Sequence, residues 1–294
     1  MSMEPPKLMV DARSVLGEGP SWDERSNVLY WVDIAGECLH IYNPSTNENA
    51  VVNIGQPIGA VAPCKSGGIV MALQHGFYSY DFDKRMMSFI VDPEADLPYN
   101  RFNDGKCDAK GRFWAGTMRV NKDVPNQGSL YCLDTDFTVR RVLSNLTISN
   151  GLGWSPDNQT MYYIDSATRK IMAYDFDLLS AELSNPRVAV DATGGIGGPD
   201  GMTVDEEGMI WAAIWDGYCV KRFNPDTGET LEIVSVPAAR VTSCVFGGSG
   251  LSDLYITTAR FGLSEQMLLE QPHAGGLFVQ PTKVKGLPTY SFGE

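Results

Sequence analysis

Four oxygen-bearing side chains stand at equivalent places along the chain: Glu18, Asn103, Asn150 and Asp200. Each lies near a glycine in a polar turn, where Asn and Asp are also common for purely local reasons. If the four converge in space, their carboxylates repel one another unless a cation or a proton lies between them. Carboxylate and carboxamide oxygens suit hard divalent ions such as Ca²⁺, Mg²⁺ or Mn²⁺. A ligand set this small leaves positions for water and substrate, which is typical of a catalytic metal site.

The elements that would bring these residues together are six repeats of short strands. Aligning the repeats places Glu18, Ile58, Asn103, Asn150, Asp200 and Thr242 in one column, with separations of 40, 45, 47, 50 and 42 residues. Each repeat alternates aromatic or β-branched segments, such as "VLYWVDI" and "TMYYIDS", with turns rich in Asp, Asn, Gly or Ser. A period of this length predicts propeller blades.

The sequence therefore predicts an all-β fold, a six-bladed β-propeller of four-stranded antiparallel blades, with residues 1–294 as one domain. The blades are expected to start near residues 18, 58, 103, 150, 200 and 242. The sixth repeat lacks an obvious fourth strand, so residues 7–15, "KLMVDARSV", are predicted to pair with it and close the ring. A β-sandwich has strands of similar length, but the regular period disfavours it.

Charge and composition narrow the possible partners. The formal net charge is −13, with 36 acidic and 23 basic residues, so nucleic acid and anionic membranes are expected to be poor partners. No stretch approaches the roughly 20 apolar residues of a membrane span, and the first residues do not resemble a secretion signal. The six cysteines form no C-x-x-C pair, which predicts free thiols and a reducing, cytoplasmic compartment. The oligomeric state is left open.

Other catalytic constellations have little support. The three histidines, His40, His75 and His273, lie far apart, which disfavours both a multi-histidine zinc site and a Ser-His-Asp triad. His40 is interpreted as an outward-facing strand residue. The six tryptophans recur at repeat-equivalent places, which favours packing between blades over stacking against carbohydrate.

The residues of the column also lie in longer motifs, "GEGPSWD", "RFNDGKCDAKGRFWAGTM", "SNGLGWSPDNQTMYYIDS", "PDGMTVDEEGMIWAA" and "VTSCVFGG". Through these motifs the sequence resembles the gluconolactonase and regucalcin family, which includes senescence marker protein and the luciferin-regenerating enzymes. The resemblance runs from about residue 10 to residue 281. It implies a six-bladed propeller with one divalent metal ion in its central channel.

The resemblance also implies roles for individual residues. Glu18, Asn150 and Asp200 would be the metal ligands, Asn103 would lie beside the metal or its bound substrate, and Arg101 would contact substrate oxygens. Asp104 is a further candidate for substrate binding, with a turn cap as its alternative role. After "AGTM" some relatives place an acid that touches substrate, whereas this chain continues "MRVNKDVPNQGSLY". Arg119 or Asn121 could approach that place instead.

The activity implied by the resemblance is hydrolysis of a sugar-acid lactone to the aldonic acid. A metal could polarise the lactone carbonyl and lower the pKa of a water molecule. Either Asp200 acting as general base or hydroxide held by the metal could start the attack. The metal could be Ca²⁺, Mg²⁺, Mn²⁺, Zn²⁺ or iron, and the glucono-, xylono-, arabinono- and galactonolactones all remain possible substrates. The alternatives are a non-catalytic regulatory propeller that binds metal or ligand, an extracellular adhesion propeller, and a hydrolase of another lactone or ester.

Overall fold

The computed structural model describes residues 5–120 and 124–293. In these residues the strands form six separate four-stranded antiparallel sheets. The first three sheets consist of β2 (Gly17–Asp23), β3 (Val28–Asp33), β4 (Cys38–Asn43) and β5 (Glu48–Asn53); β6 (Ile58–Pro63), β7 (Ile69–Leu73), β8 (Gly76–Asp81) and β9 (Met86–Val91); and β10 (Asn100–Cys107), β11 (Phe113–Arg119), β12 (Gly128–Leu133) and β13 (Val139–Leu146).

The next two sheets consist of β14 (Ser149–Trp154), β15 (Thr160–Asp165), β16 (Lys170–Asp177) and β17 (Glu182–Asp191); and β18 (Gly198–Val204), β19 (Ile210–Trp215), β20 (Cys219–Phe223) and β21 (Thr230–Ser235). The sixth contains β22 (Val241–Gly247), β23 (Asp253–Thr258), β24 (Leu277–Pro281) and β1 (Lys7–Val10). A short 3-10 helix spans Ser166–Thr168, and helix α1 spans Glu265–Glu270. None of the helices in the described part of the chain is long and apolar enough to cross a membrane.

The sheets are the blades of a propeller, because the first strand of each blade contacts the first strands of both neighbouring blades. These contacts run in order through β2, β6, β10, β14, β18 and β22 and return to β2, so the six strands surround one central channel. The predicted six-bladed all-β fold is confirmed. Its inner strands start at residues 17, 58, 100, 149, 198 and 241, within three residues of each position expected from the repeats.

The ring closes as predicted, with β1 pairing to β24 through the register Lys7↔Val279 and Leu8↔Phe278. However, the closing strand ends at Val10 and does not reach residue 15. Beyond the strand, Arg13 has a φ of 55°, in the left-handed region, so the extended conformation does not continue to residue 15. The backbone N–H groups of Val15 and Leu16 then donate to the Asp33 carboxylate at 2.8 and 2.9 Å instead of to a strand.

Aromatic side chains fill the space between blades. Trp22, Trp31, Trp114, Trp154 and Trp211 are all buried, as the repeat pattern predicts. Trp215 is the exception, because it is only partly buried and faces the channel mouth described below. The interpretation of His40 as outward-facing was wrong: its ring is 6% exposed and stacks on Trp31 with 4.0 Å between centroids. All six cysteines are free thiols.

The last described residues cross the end of the channel where the inner strands finish. The N–H of Glu206 donates to the Lys285 carbonyl at 2.8 Å, and the N–H of Phe292 donates to the Pro63 carbonyl at 2.8 Å. Between these points Leu287 and Tyr290 line a small cavity together with Lys106. The candidate site lies at the opposite end, where the inner strands begin.

Candidate active site

A cavity of about 820 Å³ opens at the end of the channel where the inner strands begin. Its lining includes five of the residues predicted from the sequence: Glu18, Arg101, Asn103, Asn150 and Asp200. They come from four different blades and span more than 180 positions of the chain. The fold therefore brings together the four oxygen-bearing side chains of the column and places the side chain of Arg101 beside them.

Irregularities in strand pairing direct these side chains into the channel. The pairing of every inner strand with its neighbour shifts register close to its column residue: Glu18/Ser21, Ile58/Ala60, Phe102/Asp104, Ser149/Leu152, Pro199/Met202 and Val241/Ser243. A β-bulge leaves a residue out of the regular ladder and changes the direction of its side chain. Asn103, Asn150 and Asp200 lie inside such shifts, so six equivalent bulges build the floor of the site.

Glycines beside the column residues allow neighbouring strands to approach closely. A Cβ atom added at Gly151 would lie 2.6 Å from the Asp200 carbonyl oxygen. A Cβ atom added at Gly201 would lie 2.1 Å from the Ser243 hydroxyl oxygen. These separations are too short for a side chain. Close packing of the inner strands therefore explains why glycine follows Asn150 and Asp200.

Asn150 is held so that its amide oxygen has no hydrogen-bonding partner. Its Nδ2 donates to the Ser166 hydroxyl at 3.0 Å, and that hydroxyl donates to the Pro199 carbonyl at 2.7 Å. Asn150 is 4% exposed, and its Oδ1 has no hydrogen bond within the described structure. A buried oxygen without a hydrogen bond is unfavourable, so Asn150 Oδ1 is positioned to donate its lone pairs to a bound ligand. Sequence reasoning missed Ser166, because no spacing rule links it to Asn150.

The carboxylates of the site repel one another. Burial raises the pKa of Glu18 well above its usual range, and the negative charges of Asp200 and Asp104 raise it further. The Arg101 guanidinium and the Gly19 N–H oppose this effect. Burial also lowers the pKa of Arg101 to about 10, although Glu18 and Asp200 favour its charged form. The repulsion among these acids is relieved by a proton or by a cation that binds between them.

Asn103 and Arg101 form a separate unit next to this charge cluster. The Nη1 of Arg101 donates to Asn103 Oδ1 at 2.7 Å and to the Phe102 carbonyl at 2.9 Å. The Nδ2 of Asn103 donates to the Ser149 carbonyl at 2.8 Å. Both polar atoms of Asn103 are therefore engaged within the protein, so its direct effect is to fix the orientation of the guanidinium.

Asp104 and Arg119 lie outside the cavity lining. Asp104 is buried, and its Oδ1 accepts a hydrogen bond from the Gly105 N–H at 2.6 Å. Burial raises its pKa, while Lys106, whose ammonium donates to the Met202 carbonyl at 2.7 Å, has the opposite effect. Arg119 places its guanidinium 5.2 Å from the ring centre of Tyr99, which itself lines the cavity. Asn121 lies outside the described residues.

The donor set fits a hard divalent cation. Across residues 5–120 and 124–293 there is no group of three or more His, Cys, Asp or Glu side chains that could hold a metal. The candidate set instead combines two carboxylates, Glu18 and Asp200, with the unsatisfied carboxamide oxygen of Asn150. Oxygen-only ligands of this kind are suited to Ca²⁺, Mg²⁺ or Mn²⁺.

The chain is similar to known proteins over nearly its whole length. The family model described as SMP-30/Gluconolactonase/LRE-like region matches residues 16–260. The chain is 39% identical to the candidate sugar lactone lactonase YvrE of Bacillus subtilis (strain 168), covering 97% of each chain, and 39% identical to regucalcin of Xenopus laevis, covering 94% of each. The solved structure of regucalcin from Agrobacterium tumefaciens str. C58, described as a calcium-binding protein, superposes with a TM-score of 0.94 at 28% identity, covering 99% of this chain and 97% of the other. The chain therefore belongs to the SMP-30/gluconolactonase/LRE-like family.

Proposed function

We propose that this protein is a divalent-metal-dependent hydrolase that opens sugar-acid lactones to aldonic acids. Family membership suggests hydrolysis of sugar lactones, and the name of the Bacillus subtilis relative points to the same activity. One observation carries the proposal: two mutually repelling carboxylates and an unsatisfied amide oxygen converge beside a guanidinium in an open cavity. Such a site can hold a cation and still admit a substrate.

Glu18, Asn150 and Asp200 would hold the metal ion. The description of the Agrobacterium tumefaciens relative as a calcium-binding protein supports a divalent ion at this site. When bound there, a divalent ion would polarise a lactone carbonyl and lower the pKa of a neighbouring water molecule.

The chain's own residues supply the remaining requirements. Arg101 would donate charge-assisted hydrogen bonds to the lactone oxygens and stabilise the negative charge that develops on the carbonyl oxygen. Asn103 holds that guanidinium in place through the 2.7 Å hydrogen bond. Asp200 would accept a proton from the attacking water. The water oxygen bonds to the carbonyl carbon, the bond from that carbon to the ring oxygen breaks, and the proton passes to the departing ring oxygen.

The variant Asp200→Asn tests the role of Asp200 as base. Its turnover of an aldonolactone at saturating metal should fall by about 10²–10⁴-fold, the usual contribution of a positioned base. Calorimetry on the same samples measures metal binding, and a pH-indicator assay measures acid release. Full turnover with metal still bound would exclude Asp200 as the base.

A regulatory metal-binding propeller without catalysis is the second candidate, because the chain is equally similar to regucalcin. The two candidates differ in one assay. Metal-stripped protein is given each divalent ion in turn and tested against glucono-, xylono-, arabinono- and galactonolactone. Acid release that depends on the metal supports the hydrolase, whereas metal binding without acid release from any lactone supports the regulatory protein.

A further inference from the structure

The wall of the cavity differs in chemistry from its floor. Above Glu18, Asn150 and Asp200, the lining includes the apolar or aromatic side chains of Leu16, Ile34, Tyr99, Val120, Ile148 and Phe261. These residues belong to separate turns around the opening and are not consecutive in the chain. The polar floor is therefore continuous with a mostly apolar wall.

Several of these side chains are exposed to solvent at the rim. Tyr99 is 65% exposed, Val120 is 55% exposed and Phe261 is 48% exposed. Single exposed apolar residues are normal on a protein surface, but several around one opening indicate a surface that binds an apolar group.

Polar side chains at the same opening are already engaged with protein groups. The Ser166 hydroxyl is bonded to Asn150 and to the Pro199 carbonyl. Asp216 accepts a hydrogen bond from Arg240 Nε at 3.2 Å, and that guanidinium lies 4.9 Å from the ring centre of Trp215. Arg169 donates to the carbonyls of the 195–197 turn. Ser166, Asp216 and Arg169 therefore each use part of their hydrogen-bonding capacity on protein groups.

The cavity is also large for its expected substrate. Its volume of about 820 Å³ falls within the 300–1,000 Å³ that is typical of sites for drug-sized ligands. A six-carbon aldonolactone is far smaller and would occupy only the polar floor. The apolar wall would then remain in contact with water.

We infer that this site also hydrolyses lactones that carry an aliphatic arm, with the lactone ring on the polar floor and the arm along the apolar wall. The inference rests on the proposed function, because the same residues open the ring. The reaction balances as it does for a sugar lactone: water adds to the carbonyl carbon, the ring C–O bond breaks, and the ring oxygen leaves as a hydroxyl that carries the arm.

The test measures kcat/KM for a series of 4-alkyl γ-lactones of increasing chain length, with gluconolactone as the reference, in protein reconstituted with its most activating divalent ion. Each methylene that leaves water for the wall should raise kcat/KM by about 2- to 4-fold. Four added methylenes should therefore raise it by about 16- to 256-fold.

Two valines provide a matched pair of variants. Val120 is at the cavity rim and is 55% exposed, whereas Val51 lies on the outer strand β5 and is 54% exposed. Val120→Asp should remove about 10-fold of the kcat/KM for the longest lactone, because a carboxylate disfavours contact with the alkyl chain. Val51→Asp should leave the whole series unchanged. Thermal melting of both variants confirms that they fold.

The outcomes separate this inference from the proposed function. Hydrolysis of gluconolactone with no rise along the alkyl series would overturn the inference and leave the proposed function intact. A rise along the alkyl series with no turnover of any aldonolactone would overturn the sugar-lactone assignment, and with it the inference that one site opens both classes of lactone. Absence of turnover with every lactone would overturn both. An equal loss in Val120→Asp and Val51→Asp would refute the apolar wall as the binding surface.

Discussion

Asn150 offers a sharp test of the metal site, because its amide oxygen is buried without a partner. The variant Asn150→Leu keeps the approximate size of the side chain and removes the oxygen. In metal-free protein this relieves a buried unsatisfied acceptor, a gain of about 1–3 kcal/mol. It also removes the hydrogen bond from Nδ2 to Ser166, a loss of about 0.5–1.5 kcal/mol. The free energy of unfolding should therefore change by between about −0.5 and +2.5 kcal/mol, unlike the usual destabilisation by a core substitution.

Asn103 serves as the control for this reasoning. It is 6% exposed, close to the 4% of Asn150, but both of its polar atoms are hydrogen-bonded. Asn103→Leu should destabilise metal-free protein by about 1–3 kcal/mol, because it leaves Arg101 and the Ser149 carbonyl without that partner.

The metal response of Asn150→Leu should be lost. A ligand at 100 times its Kd stabilises the native state by about 2.7 kcal/mol. With about 2.1 cal/mol/K of unfolding entropy per residue, the 294-residue chain has about 0.6 kcal/mol/K in total. Saturating metal should therefore raise the Tm of the unmodified protein by about 4 °C, and that of Asn150→Leu by less than about 1 °C.

The assay is scanning calorimetry of metal-stripped protein, with and without each divalent ion, combined with chemical denaturation for the free energy of unfolding. Asn150→Asp adds a third acid to the site, so it should lower the Tm without metal and increase the rise on adding metal. A shift of about 4 °C retained in Asn150→Leu would refute Asn150 as a ligand. If Asn150→Leu is destabilised as much as Asn103→Leu, the claim that Asn150 Oδ1 is unsatisfied is refuted.

Two further predictions concern Arg101 and His40. Arg101→Lys should lower kcat/KM for an aldonolactone by about 10- to 100-fold, because an ammonium cannot reproduce the guanidinium fork held by Asn103; an unchanged kcat/KM with an unchanged metal-induced Tm shift would show that Arg101 does not contact the substrate. Burial lowers the pKa of His40 to about 4, from 6.5, so the folded protein keeps this ring neutral while the unfolded chain takes up a proton. Stability should fall by about 2–3 kcal/mol as the pH drops from 6.5 to 4. In His40→Gln this part of the loss should disappear. An equal fall in the free energy of unfolding of both proteins over this pH range would contradict the assignment of the loss to His40.

A feature of this protein can be predicted from its sequence when it depends on residue types and their spacing, and cannot when it depends on contacts between distant residues. The blade count, the closing strand and the column of oxygen donors depend on a repeat period and on residue types, which are readable without three-dimensional pairing. The strand was predicted over residues 7–15 but ends at Val10, and the contacts that hold the backbone after it are not local. The backbone after Arg13 bonds to the Asp33 carboxylate, which lies in the next blade. His40 was misplaced for a similar reason, since its stacking on Trp31 depends on the register of β3 and β4.

The sequence by itself determined the fold class and the column of Glu18, Asn103, Asn150 and Asp200, because repeat period and side-chain chemistry are properties of the linear chain. The choice of Glu18, Asn150 and Asp200 as candidate ligands came from the family resemblance. Only the tertiary structure decided how those side chains are aimed and what surrounds them. The six bulges depend on pairing between strands, the partnerless oxygen of Asn150 depends on Ser166, and the engagement of Asn103 depends on Arg101. The apolar wall combines residues from turns far apart in the chain, so its continuity exists only once the blades have closed into a ring.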